Sequence, residues 1–268
     1  MRNKLIISLF YYFFQVMLLQ AQSLELGVFG GISNYFGDLQ QSNFEVETIH
    51  PAYGVFSRYN INNRLAVKLH LYKGAVSGDD ANYQELMPVR ERNLSFRSDI
   101  YEAGLQTEFT FVSFGENETK LAAPYIFTGI SLFYFNPQAE YEGRWVDLQP
   151  LGTEGQGMSE SASAKYERVQ FSIPMGIGFN VRVASKMNVG FEVGFRKTFT
   201  DHLDDVSGIY PDIKAIQELN PMVAALSFRA PELVDYVMEN PEGELRGTSK
   251  TKDMYFFGGM TISILLKK

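Results

Sequence analysis

Side chains able to do chemistry are few in this chain. Histidine occurs at three positions, His50, His70 and His202. His202 lies in the run Asp201-His202-Leu203-Asp204-Asp205, where a carboxylate beside an imidazole could activate water or hold a divalent cation. No serine nucleophile motif and no second histidine accompany it, and carboxylates at a strand end are ordinary loop-capping residues. A structural role is therefore expected. Gly152-Thr153-Glu154-Gly155-Gln156-Gly157 has the glycine content of a phosphate loop, but it lacks the following lysine and the strand-to-helix context, so an outer loop is expected. Cysteine is absent, which excludes a disulfide framework, a thiolate metal site and a lipobox. The expectation is a non-enzyme with no cofactor, no metal and no small-molecule substrate.

The elements that must position these residues are strands. A transmembrane barrel strand needs about 9–11 residues, alternating apolar toward lipid with polar or small toward the lumen. From Arg168 to Val183, the apolar set Val169, Phe171, Ile173, Met175, Ile177, Phe179, Val181 and Val183 alternates with Arg168, Gln170, Ser172, Pro174, Gly176, Gly178, Asn180 and Arg182. The same pattern runs through Leu65–Lys73, Ile100–Phe111 and Met187–Thr198, and more weakly through Leu24–Asn34, Pro51–Ile61, Pro124–Asn136 and Met254–Leu266. Those are eight segments. Both faces of Pro124–Asn136 are apolar or aromatic, so its orientation stays open. On this reading Ile177 faces lipid, and Gly178→Ala on the neighbouring inward position is expected to be much milder than Ile177→Arg.

Connections sort by length. Asn62-Asn63-Arg64, residues 112–123 and Ala184-Ser185-Lys186 are short, and the first and last place Ile61 opposite Leu65 and Val183 opposite Met187 as three-residue hairpin loops. Residues 35–49, 75–98, 137–165 and 201–252 are long. Strict alternation of short and long is how outer-membrane barrels place turns in the periplasm and loops outside. The expected fold is all-β: an eight-stranded antiparallel transmembrane β-barrel with long extracellular loops and both termini periplasmic. In the longest loop, Asp212–Leu219, Pro221–Ala230 and Pro231–Met238 have helix-like apolar spacing with prolines at first-turn positions, and a small helical cap over the mouth is expected.

An eight-stranded barrel is filled by its own side chains. The inward sets supply Glu102, Glu108 and Glu192 together with Arg58, Lys68, Arg168, Arg182 and Arg196, and His70 falls on the same face. An unpaired charge there would be costly, so these residues are expected to form one paired plug.

Composition agrees with this compartment. Phe 22, Tyr 15 and Gly 23 among 268 residues suit a barrel wall with aromatic girdles, and the net charge of −7 argues against nucleic acid as a partner. Residues 1–21 follow the plan of a cleavable secretory signal: basic Arg2 and Lys4, an apolar Leu5–Leu19, and Leu19-Gln20-Ala21 before Gln22. The mature domain is then residues 22–268, located in the outer membrane and in contact with its lipids.

Several segments resemble the PorG family, outer-membrane barrels of the Bacteroidetes type IX secretion system. They are Ser33-Asn34-Tyr35-Phe36-Gly37-Asp38-Leu39, Pro124 to Gly129 with Phe135-Asn136-Pro137, Pro174 to Phe179, and the run Phe195 to Tyr210 with its Asp201–Ser207 core. The resemblance implies a non-catalytic barrel that touches a periplasmic ring built from the lipoprotein PorK and its companion PorN. The chain ends Ile264-Leu265-Leu266-Lys267-Lys268, without the terminal aromatic usual for barrel assembly.

If the short connections face the periplasm, Asn62, Asn63, Arg64, Glu116, Asn117 and Lys186 are the candidate partner surface. Two other functions stay open: a small barrel enzyme acting on lipid or peptide through His202, and a general membrane-stabilising barrel.

Overall fold

The computed structural model describes residues 23–40, 46–82, 91–113, 122–158, 163–233 and 240–267. The signal segment 1–21, Glu116 and Asn117 lie outside them. Ten strands occur: β1 Ser23–Phe36, β2 His50–Asn60, β3 Leu65–Asp79, β4 Ser95–Thr110, β5 Ala122–Phe135, β6 Gln138–Tyr141, β7 Arg144–Asp147, β8 Val169–Ala184, β9 Met187–Thr198 and β10 Met254–Lys267. Eight of them close a barrel in the order β3-β2-β1-β10-β9-β8-β5-β4, with β3 pairing back onto β4. All pairings are antiparallel. Closure leaves no unpaired edge, so the backbone needs no water along the wall.

The alternation in sequence becomes two opposed surfaces. Outward side chains such as Val28, Leu71, Ile130, Phe171 and Ile177 are exposed all round the barrel. Inward ones are buried, among them Phe29, Tyr72, Tyr125, Phe133, Tyr255 and Phe257. In β5, whose faces are alike in sequence, Tyr125, Phe127, Ser131, Phe133 and Phe135 point inward.

Four differences from the sequence reading have local causes. Strands β3 and β4 stay paired from Lys73↔Tyr101 to Asp79↔Ser95, so the connection expected at 75–98 shrinks to residues 80–94. The hydrogen-bond ladder outlasts the apolar alternation, because outward residues need not be apolar once past the lipid-facing belt. The turn expected at Ala184-Ser185-Lys186 is two residues long: Ala184 pairs with Met187, and a bulge between Arg182 and Ala184 absorbs the extra residue. Within the connection 137–165, β6 and β7 form an unanticipated hairpin turning on Glu142 and Gly143, both at positive φ of 49° and 75°. Gly178 is not a tolerant position: an added Cβ would lie 2.2 Å from the Tyr125 ring.

Both described termini, the connections 61–64 and 185–186 and the facing ends of β4 and β5 at Thr110 and Ala122 lie at one end. At the other end the long connections fold into a cap. Helices α1 Ile213–Leu219 and α2 Pro221–Ser227 are capped by Asp212 and Asn220, whose side chains accept from the first-turn N–H groups. Their apolar faces meet as Ile213, Ile216, Val223, Ala224 and Phe228 with Tyr210. The third expected stretch contributes a 3₁₀ turn at Ala230–Glu232; residues 234–239 lie outside the described residues.

Candidate functional site: the plugged lumen and its cap

The interior holds two groups of ion pairs. Arg58 on β2 lies 3.2 Å from Glu25 and 2.8 Å from Glu108. Lys68 on β3 lies 3.7 Å from Glu108 and donates to Glu192 at 2.6 Å. Glu192 also accepts from the hydroxyls of Tyr72 at 2.9 Å and Tyr125 at 3.0 Å. Glu102 takes Arg196 at 3.1 Å, His70 at 2.8 Å and the Tyr255 hydroxyl at 2.7 Å. Every member is buried. An isolated charge here would cost several kcal/mol, so each is tolerable only because of its partners. The aromatic rings fill the space between: Lys68 Nζ stands 5.0 Å from the Phe56 ring centroid, and the Arg196 guanidinium 4.6 Å from that of Phe257.

Six of the eight expected plug residues are buried in these two groups: Arg58, Lys68, Glu108 and Glu192 in one, Glu102 and Arg196 in the other. Arg168 lies apart from them, and Arg182 is less buried than they are. Arg168 sits half-exposed at the cap rim against Asn136 at 2.9 Å and Asp147 at 3.7 Å, and Arg182 is half-exposed at the turn end beside the bulge. Alternation along a strand states the face of a residue but not its depth. Sequence reasoning missed Glu25, although Leu24 and Leu26 on either side mark it as inward, and missed the three tyrosine hydroxyls.

Above the plug, the cap is stitched by buried polar groups. The Tyr35 hydroxyl donates to Asp204, joining two of the segments that carry the family resemblance. Asp205, at φ 65°, accepts from the hydroxyls of Thr153 and Tyr166, the latter at 2.6 Å. Arg246 bridges Glu154 at 3.0 Å and the Asp205 carbonyl at 2.5 Å. Arg92 grips Asp80 at 2.6 Å and the carbonyls of Asp38 and Arg246. Burial pushes the carboxyls of Asp201 and Asp205 up to about 6, and raises Asp204 and Asp253 well above the usual carboxylate range.

The run around His202 is structural here. Its ring stacks on Tyr166 at 4.6 Å and 11°, Asp201 accepts from Ser207, and Asp204 is committed to Tyr35. Burial lowers the affinity of the imidazole for a proton. Among the described residues no group of three His, Asp or Glu side chains is placed to hold a metal ion. In the glycine-rich segment, Gly152, Gly155 and Gly157 all have positive φ, and Thr153 is buried, so this segment is a folded part of the cap.

Of the candidate partner residues, Asn62 closes the β2–β3 turn by accepting from the Arg64 and Leu65 N–H groups at 2.8 and 2.9 Å. Arg64 and Lys186 project exposed from that end.

A closed eight-stranded wall, apolar outside and ion-paired inside, is the build of the outer-membrane β-barrel class. The chain belongs to the family described as a domain of unknown function, DUF6089, whose model matches residues 3–221. No curated protein matches it. Among solved structures it is similar to the attachment invasion locus protein Ail of Yersinia pestis, with 9% identity, TM-score 0.42, 91% of this chain and 98% of that one covered. It is also similar to Neisserial surface protein A, with 7% identity, TM-score 0.45, 91% of this chain and 97% of that one. A third is the outer membrane protein OprG of Pseudomonas aeruginosa, with 7% identity, TM-score 0.38, and 91% and 98% covered.

Proposed function

We propose that the protein is a non-catalytic outer-membrane component of the type IX secretion machinery, anchoring a periplasmic ring of proteins resembling PorK and PorN. The observation that carries the reading is the sealed interior. Lys68, Glu102, Glu192 and Arg196 are buried in mutual pairs beneath a folded cap, so the barrel offers solutes no ready path and acts through its surfaces. The resemblance of the Ser33–Leu39 and Phe195–Tyr210 segments to the PorG family supplies the partner. The turn end carries both described termini and presents Asn62, Asn63, Arg64 and Lys186, with Glu116 and Asn117 in the third connection.

The test is co-purification from detergent-solubilised membranes. Replacing Arg64, Glu116 and Lys186 together is expected to lower recovery of the ring lipoprotein while the barrel stays folded, and deletion of the gene is expected to abolish secretion through the system. Undiminished secretion in the deletion strain would leave a general membrane-stabilising barrel as the reading.

A further inference from the structure

One hydrogen-bonded row of outward residues marks where the outer wall stops being apolar. On β3 the outward series Val67, Leu69, Leu71 changes at Lys73; on β4 Phe109, Leu105, Ala103 changes at Tyr101 and then Asp99 and Arg97. On β5 Ile126, Ile130, Leu132 changes at Tyr134 and then Asn136. Lys73, Tyr101 and Tyr134 are direct cross-strand neighbours. Three strands thus cross from apolar to polar at one level, on the cap side, where amphipathic aromatics sit at a membrane interface.

Immediately beyond that row the wall is hollow. A cavity of about 550 Å³ opens outward, lined by His50, Arg97, Tyr101, Tyr134, Asn136 and Gln138 among others. Its cation is held unusually. The Arg97 guanidinium lies 3.6 Å from the Trp145 ring centroid, on the β6–β7 hairpin, and its Nε donates to Gln138 at 3.4 Å. Among the described residues no carboxylate lies within 4.0 Å of it, so the edge of the stacked guanidinium stays available for an anion. Asp99 also lines the hollow but lies 3.3 Å from Lys73, and Asp147 nearby lies 3.7 Å from Arg168, so each carboxylate has a cation of its own. Lys73 Nζ stands 4.9 Å from the Tyr101 ring centroid and the Arg168 guanidinium 5.6 Å from that of Tyr134, so two more cations border the hollow. Gln138 is committed to Arg97 and Asp147, which leaves the remaining surface of the two tyrosines and the Asn136 amide nitrogen to meet a sugar ring.

We propose that this hollow binds the headgroup of a phosphorylated glycolipid of the outer leaflet, phosphate on Arg97 and sugar against the two tyrosines, with the acyl chains on the apolar wall below. Level, charge and chemistry together select this ligand. A phospholipid would use the cation but has no sugar ring to set against the two tyrosines. The inference rests on the cap end facing outward, which the cysteine labelling described below tests separately.

The experiment is native mass spectrometry of the full mature barrel in detergent, with added bisphosphorylated lipid A, its fully dephosphorylated form, or phosphatidylglycerol at equal mole fraction. One retained copy of bisphosphorylated lipid A is expected. Arg97→Gln and, independently, Tyr134→Ala are expected to lower its retention about tenfold, the scale of one charge-assisted contact, and dephosphorylation to do the same. Arg97→Lys, which keeps charge but loses the stack on Trp145, is expected between the two. A closed barrel is expected to migrate differently on a gel when unheated and when boiled, and that difference reports that each variant is folded. Wild-type retention by a folded Arg97→Gln protein, or equal competition by phosphatidylglycerol, overturns the proposal.

Discussion

The Tyr125 hydroxyl on β5 donates to Glu192 on β9 at 3.0 Å, although β8 lies between them. The residue between is Gly178, paired with Tyr125 on one side and with Glu192 on the other. With no Cβ at 178, the tyrosine ring lies across its neighbouring strand and completes the shell of a buried carboxylate. Gly178→Ala is therefore expected to destabilise the barrel by about 1–3 kcal/mol, the scale of overpacking. The temperature at which the compact electrophoretic form is lost should fall. An unchanged transition would show that the ring moves freely aside.

Ile177, one residue earlier, is 65% exposed on the outer wall. Ile177→Arg is expected to cost about 2–4 kcal/mol if that position lies near the bilayer midplane. Folding yield into lipid vesicles measures it, and full tolerance would argue against a lipid-facing wall.

The pair Glu102 and Arg196 separates plugging from mere filling. Arg196→Met leaves Glu102 buried with His70 and Tyr255 alone, at an expected cost of about 3–5 kcal/mol. The double variant Glu102→Leu, Arg196→Met is expected to recover part of that loss, because no charge is then stranded. Denaturant titration of both variants checks this, and strictly additive losses would contradict the pairing.

Cap stability should depend on pH through Asp205. Its carboxyl titrates at about 6 in the folded protein against 3.8 unfolded, so the folded state binds the extra proton between those values. Stability from this group is fully present below about pH 4 and is lost as pH rises through 6, on the order of 3 kcal/mol. Hydrogen exchange in 199–253 should slow on going from pH 7.5 to pH 5 after correction for intrinsic rates. Asp205→Asn, which tolerates the positive φ, should reduce that dependence, with the remainder carried by Asp201, Asp204 and Asp253.

Orientation is checked by single cysteines, since the chain has none of its own. Asn63→Cys in the β2–β3 turn should resist a membrane-impermeant reagent in intact cells, whereas Leu219→Cys, on the exposed end of α1, should react. The reverse order would overturn both the periplasmic partner surface and the outer-leaflet site.

Sequence by itself determined the eight strands of the wall, the barrel class and most of the plug, because a period of two is a property of the backbone and survives in any strand with one face toward lipid. It also placed the helical cap, through the apolar spacing of Asp212–Leu219 and Pro221–Ala230 and the proline that opens the second stretch. It could not orient β5, whose two faces are equally apolar, until pairing with β4 and β8 turned Tyr125 and Phe133 inward. Nor could it separate Arg196, deep beside Glu102, from Arg168 at the rim, since both alternate identically with apolar neighbours. Depth depends on how strands stagger against one another, and that stagger is set by pairing between residues far apart in the chain. For the same reason the neighbours Tyr101 and Tyr134, the stack of Arg97 on Trp145 and the contact of Tyr35 with Asp204 are invisible along the chain and exist only once the barrel has closed.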